Sequence, residues 1–229
     1  MKLNTNSNAY IIIYSSILVV IVAFLLAFVY QALKPMQDAN VALDVKKQIL
    51  YSLNIRDLDG AEAEAKYAEV VKSEPGGRGE FKKPYYNCEV NGKNIHVFPL
   101  KGMGLWGGIS GYISLHNNEN PIVYGAYFNH ESETAGLGAE IKDSQEWQEK
   151  FIGKRVYQDG PNGHEVVLSV VKKVENPETQ VDCVTGATLT SNGVDAMIKD
   201  CLDDACANAF QLFADQMKPQ QCENQKGED

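Results

Sequence analysis

The chain has 229 residues, and its 44% hydrophobic content is enough for one sizeable folded domain with additional segments. Its formal net charge of −9 excludes a surface built to bind nucleic acid, because such a surface needs a basic patch. The five cysteines include no C-x-x-C pair and the four histidines are scattered. No metal site is therefore expected, and each cysteine is interpreted as a buried or idle thiol.

The first feature in chain order is a run of 22 uncharged residues at 9–30. As a helix it would extend for about 33 Å, enough to cross a hydrocarbon core of about 30 Å. Tyr10 and Tyr30 lie at its two ends, where interfacial aromatic residues are typical. A cleaved secretory signal is the alternative, but the length of the run and the lack of a small-residue cleavage site favour a retained anchor. Lysines flank both ends, so charge alone does not determine the orientation.

Residues 37–72 are rich in strong helix formers and predict a juxtamembrane helix, which the glycine- and proline-containing stretch 73–80 ends. Asn91 and Gly92 predict the tight turn of a β-hairpin. Further strands are predicted at 109–115, 121–128, 165–171 and 180–184.

A short helix is predicted over 144–153, ended by Gly153, and a long amphipathic helix over 194–213. Helices at both ends of a strand-rich middle are typical of an α+β fold, here a mixed sheet packed by helices. The expected organisation is a transmembrane anchor at 1–33, a juxtamembrane helical segment at 34–75 and a folded domain at 76–229.

The sequence VDCVTGATLTSNGV, residues 181–194, concentrates hydroxyl groups just before the last helix. Asn192 is predicted to cap that helix, with Asp195 in the position of a capping box. Four hydroxyls are then unexplained by capping: Thr185, Thr188, Thr190 and Ser191. A helix N-terminus with free N–H groups suits a phosphate, which a hydroxyl there could bind or esterify. The alternative is an ordinary hydroxyl-rich turn.

The segment DCVTGAT resembles the flavinylation motif of covalent FMN-binding domains: an Asp, two variable residues, Ser or Thr, then Gly, Ala and Thr. In that family the last threonine carries FMN through a phosphoester. The resemblance therefore implies that Thr188 is the attachment residue. The other matching positions are Asp182, Thr185, Gly186 and Ala187.

A second segment, HESETAGLGAEI at 130–141, resembles the ETPGLG signature of the same domains, a loop near the flavin. Ala135 stands where proline is common. A bent loop without a role at the flavin is the alternative. The flavin-binding residues implied here are Glu133, Thr134, Gly136, Leu137 and Gly138. A third similar segment spans 102–115, where Trp106 is expected either to pack on the flavin or to lie in the core.

With the anchor, these segments resemble the NqrC family, the C subunits of the sodium-translocating NADH:quinone reductases, and alternatively the G subunits of the Rnf electron-transport complexes. The resemblance implies an electron relay through covalent FMN, with no catalytic residue of its own. A separate flavin transferase, the other subunits of the complex and membrane lipid are the expected partners. The expected location is the bacterial inner membrane, with the domain in the periplasm. A non-redox scaffold protein with an unmodified Thr188 is the rival from another class.

Overall fold

The computed structural model describes residues 7–73, 85–116, 121–160 and 163–202, and the chain divides into two compact units, Met1–Val45 and Lys46–Asp229. Helix α1 (Asn8–Ser52) contains the predicted apolar run, whose large side chains are exposed. Within the described part of the chain it is the one helix long and apolar enough to cross a membrane. The apolar run therefore has the length and exposure that membrane anchoring requires.

The predicted juxtamembrane helix is divided in two. Helix α1 ends at Ser52, and helix α2 spans Gly60–Val70. Asn54 and Asp57 lie between them with φ angles of 59° and 61°. A right-handed helix cannot continue through left-handed residues, so these two positions separate the helices.

Five strands form an antiparallel sheet in the order β1-β2-β3-β4-β5. They are β1 (Val71–Ser73), β2 (Tyr86–Val90), β3 (Lys93–Met103), β4 (Gly108–His116) and β5 (Ile122–His130). The predicted hairpin is confirmed, because Asn91 and Gly92 join β2 to β3 with φ angles of 52° and 72°.

The strand predicted over 165–171 is wrong as one element. The chain forms β7 (Gly163–Val166), which pairs antiparallel with β6 (Tyr157–Gly160), and then β8 (Ser169–Val171), which pairs parallel with β9 (Gln180–Asp182). Between β7 and β8 the chain turns inward. Leu168 is fully buried there, and its N–H donates to the carbonyl of Val156 at 3.3 Å.

Helices α3 (Glu140–Asp143), α4 (Gln145–Glu149) and α5 (Thr188–Cys201) complete the domain. The predicted 144–153 helix is thus shorter, although Ser144 caps α4 and Gly153 follows with a φ of 79°. The apolar face expected on the last helix is buried at Val194, Met197 and Ile198, and its predicted continuation beyond residue 202 lies outside the described residues. The α+β prediction is confirmed.

The core lies between the sheet and these helices. Phe128 of β5 packs against Trp147 of α4 and Phe151, with ring centroids 5.6 and 5.1 Å apart. Helix α5 closes over the end of β3, where an added Cβ on Gly102 or Gly193 would collide with Met197 or with the Met103 carbonyl. This close approach places the start of α5 beside the β3–β4 loop.

Candidate functional site

Helix α5 begins at Thr188, with Ala187 as its N-cap residue. The prediction that Asn192 caps the helix is wrong, because Asn192 lies within the helix. The preceding turn is closed by the Ala187 N–H, which donates to the Val184 carbonyl at 3.1 Å, and it contains Gly186 at a φ of 78°. This turn starts the helix five residues earlier than a cap at Asn192 would. Thr188 is consequently its first residue.

The four unexplained hydroxyls fall into two pairs. Thr190 and Ser191 are buried and hydrogen-bonded: the Thr190 hydroxyl donates to a Glu133 oxygen at 2.7 Å, and Ser191 Oγ accepts from the Val184 N–H at 3.0 Å. Thr185 is exposed and Thr188 is half-buried. Neither of their hydroxyls has a hydrogen-bond partner among the described residues. The buried pair therefore serves the fold, and the other pair is available for chemistry.

Asp195 does not form the predicted capping box. Its two carboxylate oxygens accept from the Val170 N–H at 2.8 Å and pair with Lys199 Nζ at 2.7 Å. The bond from Val170 fastens α5 to β8, whereas the pair with Lys199 lies within α5. No side chain of the described residues caps the start of α5 through a hydrogen bond.

Glu133 is buried, with 8% of its surface exposed, and it joins three segments. One carboxylate oxygen accepts from the Trp106 N–H at 2.9 Å, and the other accepts from the hydroxyl of Thr190. Burial raises the pKa of Glu133, but the hydrogen bonds from the Trp106 N–H, the Thr190 hydroxyl and the Leu105 N–H, with the nearby charge of His130, outweigh it. The pKa ends below the usual value for a glutamate.

Two glycines make room for this carboxylate. A Cβ on Gly138 would collide with Glu133 and lie 2.6 Å from Thr190 Oγ1, and a Cβ on Gly104 would also collide with Glu133. Gly136 differs, because nothing lies within 4 Å of an added Cβ there and its φ is 72°. Gly136 bends the turn in which the Leu137 N–H donates to the backbone carbonyl of Thr134, an exposed residue. Gly138 thus faces Glu133 and Thr190.

The two motifs meet at Gly186. An added Cβ on this glycine would lie 2.8 Å from Leu137 Cδ2, so the 133–139 loop touches the turn that precedes Thr188. The segments are distant in sequence, and the fold brings them together. Substitution at Gly186 would be strained both by this contact and by its positive φ.

Exposed apolar side chains lie on the segments around the contact between Leu137 and Gly186. The interpretation of Trp106 as a core residue is wrong, since it is 67% exposed. Its neighbour Leu105, Leu137 of the loop and Leu189 of the first turn of α5 are exposed as well. We call these four residues the apolar rim. They belong to segments that Glu133 joins or that adjoin Thr188, and such a concentration of exposed apolar surface is typical of a binding site.

Asp182, the first residue of the motif, faces a cleft of about 280 Å³ between α4 and the turn at Thr185. Its carboxylate pairs with Lys150 Nζ at 3.0 Å, and its carbonyl accepts from Trp147 Nε1 at 2.8 Å. Sequence reasoning did not single out Lys150 or Trp147 as site residues. They come from a separate helical segment that carries no motif, so no local signal could have identified them.

The described residues contain no cluster of three or more side chains suited to hold a metal ion. Burial raises the pKa of the Cys88 thiol to about 12, so its thiolate is hardly populated near neutrality.

The residues present fit FMN on three counts. Thr188 offers a hydroxyl without a partner among the described residues, at the first position of α5, where the first N–H groups have no partner within the helix. Such a helix start favours a phosphate. The apolar rim offers a surface on which a flat ring can lie. The arrangement therefore suits a molecule with a phosphate at one end and an aromatic ring system at the other.

Comparison with known proteins supports the same interpretation. Residues 104–203 match the FMN-binding domain family. The C subunit of the Na(+)-translocating NADH-quinone reductase of Chlamydia pneumoniae is 38% identical over 112 residues, covering 43% of this chain and 34% of that protein. Its counterpart in Neisseria meningitidis serogroup B is 36% identical over 141 residues, covering 60% of this chain and 47% of that protein. The matched part thus spans a third to a half of the length of these relatives.

Two crystal structures are similar to the fold. That of the Na(+)-translocating NADH-quinone reductase C subunit from Parabacteroides distasonis is 34% identical, with a TM-score of 0.66, and the match covers 78% of this chain and 96% of that chain. That of NqrC from Shewanella oneidensis is 19% identical, with a TM-score of 0.59 over 74% of this chain and 97% of that chain, a likeness of fold alone.

Proposed function

Because this chain belongs to the NqrC family, the C subunits of the Na(+)-translocating NADH-quinone reductases, and contains its FMN-binding domain, we propose that it is an electron-carrying subunit of such a complex, with FMN joined to Thr188 by a phosphoester. The observation that carries the proposal is the state of the hydroxyls around the start of α5. Thr190 and Ser191 are committed to internal hydrogen bonds, whereas Thr188 is half-buried and unpartnered among the described residues.

Attachment requires an activated phosphate, because direct esterification of FMN would have to expel water. A flavin dinucleotide supplies it. Thr188 Oγ1 would form a bond to the FMN phosphorus, the pyrophosphate P–O bond would break, and a nucleoside monophosphate would leave. The hydroxyl proton passes to a base on the transferase. Thr188 would be accessible to such an enzyme, since it is only half-buried and the next residue, Leu189, is exposed.

Bound FMN supplies the capacity to take up and release electrons. The residues of this chain hold it and shape its surroundings. The first N–H groups of α5 favour the phosphate, which stays negatively charged as a diester. Leu137 and the rest of the apolar rim, which are exposed in this structure, would exclude water from the ring. The Thr134 hydroxyl, exposed at the turn of the 133–139 loop, can hydrogen-bond a polar ring edge.

The cellular setting is part of the proposal. The apolar part of α1 would stay in the bacterial inner membrane as an anchor, with the domain in the periplasm. A phosphoester removes the dissociation equilibrium, which suits a compartment where a lost flavin is diluted. The other subunits of the reductase and a separate flavin transferase would be the protein partners, and the apolar helix would contact membrane lipid.

The test is to produce the full-length chain with a flavin transferase and to look for flavin fluorescence in a denaturing gel. We expect a fluorescent band, and mass spectrometry should place one FMN on Thr188. Thr188→Val should abolish the band with little effect on folding, because only a half-buried hydroxyl is lost.

Thr188→Ser is the matched control, since it keeps a hydroxyl at the same position and should retain some flavin. FMN found on Thr185 or Thr190 would show that the assignment of Thr188 as the attachment residue is wrong. A chain that carries no flavin after production with an active transferase would favour the non-redox scaffold protein instead.

A further inference from the structure

We infer that Glu133 is a positioning residue of the flavin site: its buried carboxylate fastens the 133–139 loop and the β3–β4 loop to the first turn of α5, and its negative charge lowers the reduction potential of the flavin held there. The second half of this inference rests on the proposed function. Glu133 is thereby assigned to the support of the site rather than to contact with FMN.

The geometry carries the positioning role. The two carboxylate oxygens are occupied by groups from two different segments, the Trp106 N–H at 2.9 Å and the Thr190 hydroxyl at 2.7 Å. Glu133 itself starts the loop whose Leu137 touches Gly186. One side chain therefore holds three segments together. Each of these segments contributes a member of the apolar rim. Thr190 is only two residues from Thr188.

The glycines support the same role. Gly104 and Gly138 approach the carboxylate so closely that a Cβ on either would collide with it. A side chain at either position would push the carboxylate away from its donors. The site is thus built around Glu133 in its present position, and the need for glycine at 104 and 138 follows from it.

Glu133 forms no ion pair within the described part of the chain, and the nearby His130 contacts its backbone, with Nδ1 accepting from the Glu133 N–H at 3.2 Å. The hydrogen-bond partners of the Glu133 carboxylate are neutral donors, and the side chain is 8% exposed. A buried charge acts over a longer distance than an exposed one, because solvent screens it less. Adding electrons to a flavin held at the apolar rim would add negative charge to the same site, so reduction would be disfavoured and the potential would be lowered.

The experiment compares Glu133→Gln with Glu131→Gln in the full-length protein carrying flavin. Glu133→Gln keeps the shape and removes the buried charge. Glu131→Gln removes a charge that is two residues away and exposed. With electrons supplied by an electrode, we expect the midpoint potential of Glu133→Gln to shift to more positive values, and that of Glu131→Gln to shift much less. An unchanged potential in Glu133→Gln, or an equal shift in both variants, would overturn the electrostatic role.

The positioning role is tested without flavin. Thermal unfolding of flavin-free wild type, Glu133→Gln, Thr190→Val and the double variant gives the coupling between the two side chains. We expect both single variants to unfold at a lower temperature than the wild type. The unfolding temperature of the double variant should fall by less than the sum of the two single decreases. Additive losses would contradict the inference. If Glu133→Gln does not fold, Thr190→Val alone decides: with flavin attached it should change the flavin circular dichroism, and an unchanged spectrum would overturn the role.

Failure of the proposed function is distinguishable from failure of this inference. A wild-type chain without a fluorescent band contradicts covalent FMN, but the unfolding measurements still decide the positioning role. A wild-type chain with flavin whose potential is insensitive to Glu133 leaves the proposed function intact and removes only the electrostatic role.

Discussion

The effect of substituting Leu137 depends on whether the 133–139 loop contacts the flavin or only turns the chain. The Leu137 side chain is 44% exposed and touches the turn before Thr188. We expect Leu137→Ala to keep covalent FMN, because attachment depends on the other motif, and to shift the flavin potential and absorption by admitting water. A shift of about 30 mV corresponds to about 0.7 kcal/mol for one electron, a plausible size for altered solvation of one ring face.

Ile152→Ala is the matched control for this measurement, because Ile152 is also 44% exposed but lies in the turn after α4. Spectroelectrochemistry of both variants in the full-length protein decides the matter. Equal potentials and spectra in the wild type and in Leu137→Ala would mean that the loop only turns the chain.

Gly138 and Gly136 test two different uses of glycine within one loop. Gly138→Ala should lower the free energy of unfolding by about 1–3 kcal/mol, since its Cβ would collide with Glu133 and crowd Thr190. Gly136→Ala should cost about 1 kcal/mol through its positive φ alone, because an added Cβ meets open space. Denaturant unfolding measures both. A Gly138→Ala variant as stable as the wild type would refute the close packing around Glu133.

At the scale of elements, the attachment of two loops to α5 through Glu133 predicts a pH dependence. The pKa of Glu133 is lowered in the folded state, so its contribution to stability is present above the unfolded pKa of about 4.3 and is lost as the pH falls through the folded value. We expect the stability of Glu133→Gln to depend less on pH than that of the wild type below about pH 4.3. Unfolding measured from neutral to acidic pH gives the difference, and two parallel curves in that range would contradict it.

The start of α5 shows how one element acquires two functions. Its buried hydroxyls hydrogen-bond to the Val184 N–H and to Glu133, while the hydroxyl of its first residue has no partner in the part of the chain that the structure describes. A helix capped by Asn192 would have placed Thr188 in the preceding loop instead. The early start of the helix is therefore what brings Thr188 to the N-terminal end, where a phosphate is favoured.

At the scale of the whole molecule, the exposed apolar part of α1 predicts the solubility of the protein. Full-length chain should require detergent, whereas a protein beginning at Lys34 should remain soluble without it, because the uncharged run has been removed. Fractionation of membranes followed by washing with high salt or carbonate is the measurement. Release of the full-length chain by either wash would contradict an integral anchor.

The features that the sequence alone determined are those written in neighbouring residues. The uncharged run at 9–30, the Asn91–Gly92 turn and the α+β pattern each depend on local composition or on a short period. The segment DCVTGAT is likewise contiguous, and it was enough to propose Thr188 as the attachment residue. Local signals were weakest at the boundaries, since the 165–171 strand is divided where Leu168 enters the core.

Only the tertiary structure decided which polar groups are free. Thr190 and Thr188 are equivalent as sequence, but Thr190 finds Glu133 at a separation of 57 residues and Thr188 finds no partner among the described residues. Asp182 meets Lys150 across 32 residues in the same way. Such pairings depend on how the elements pack, and no local propensity encodes them. Burial then makes a partner obligatory for Thr190 and Glu133, because an unsatisfied polar group away from water costs about 1–3 kcal/mol.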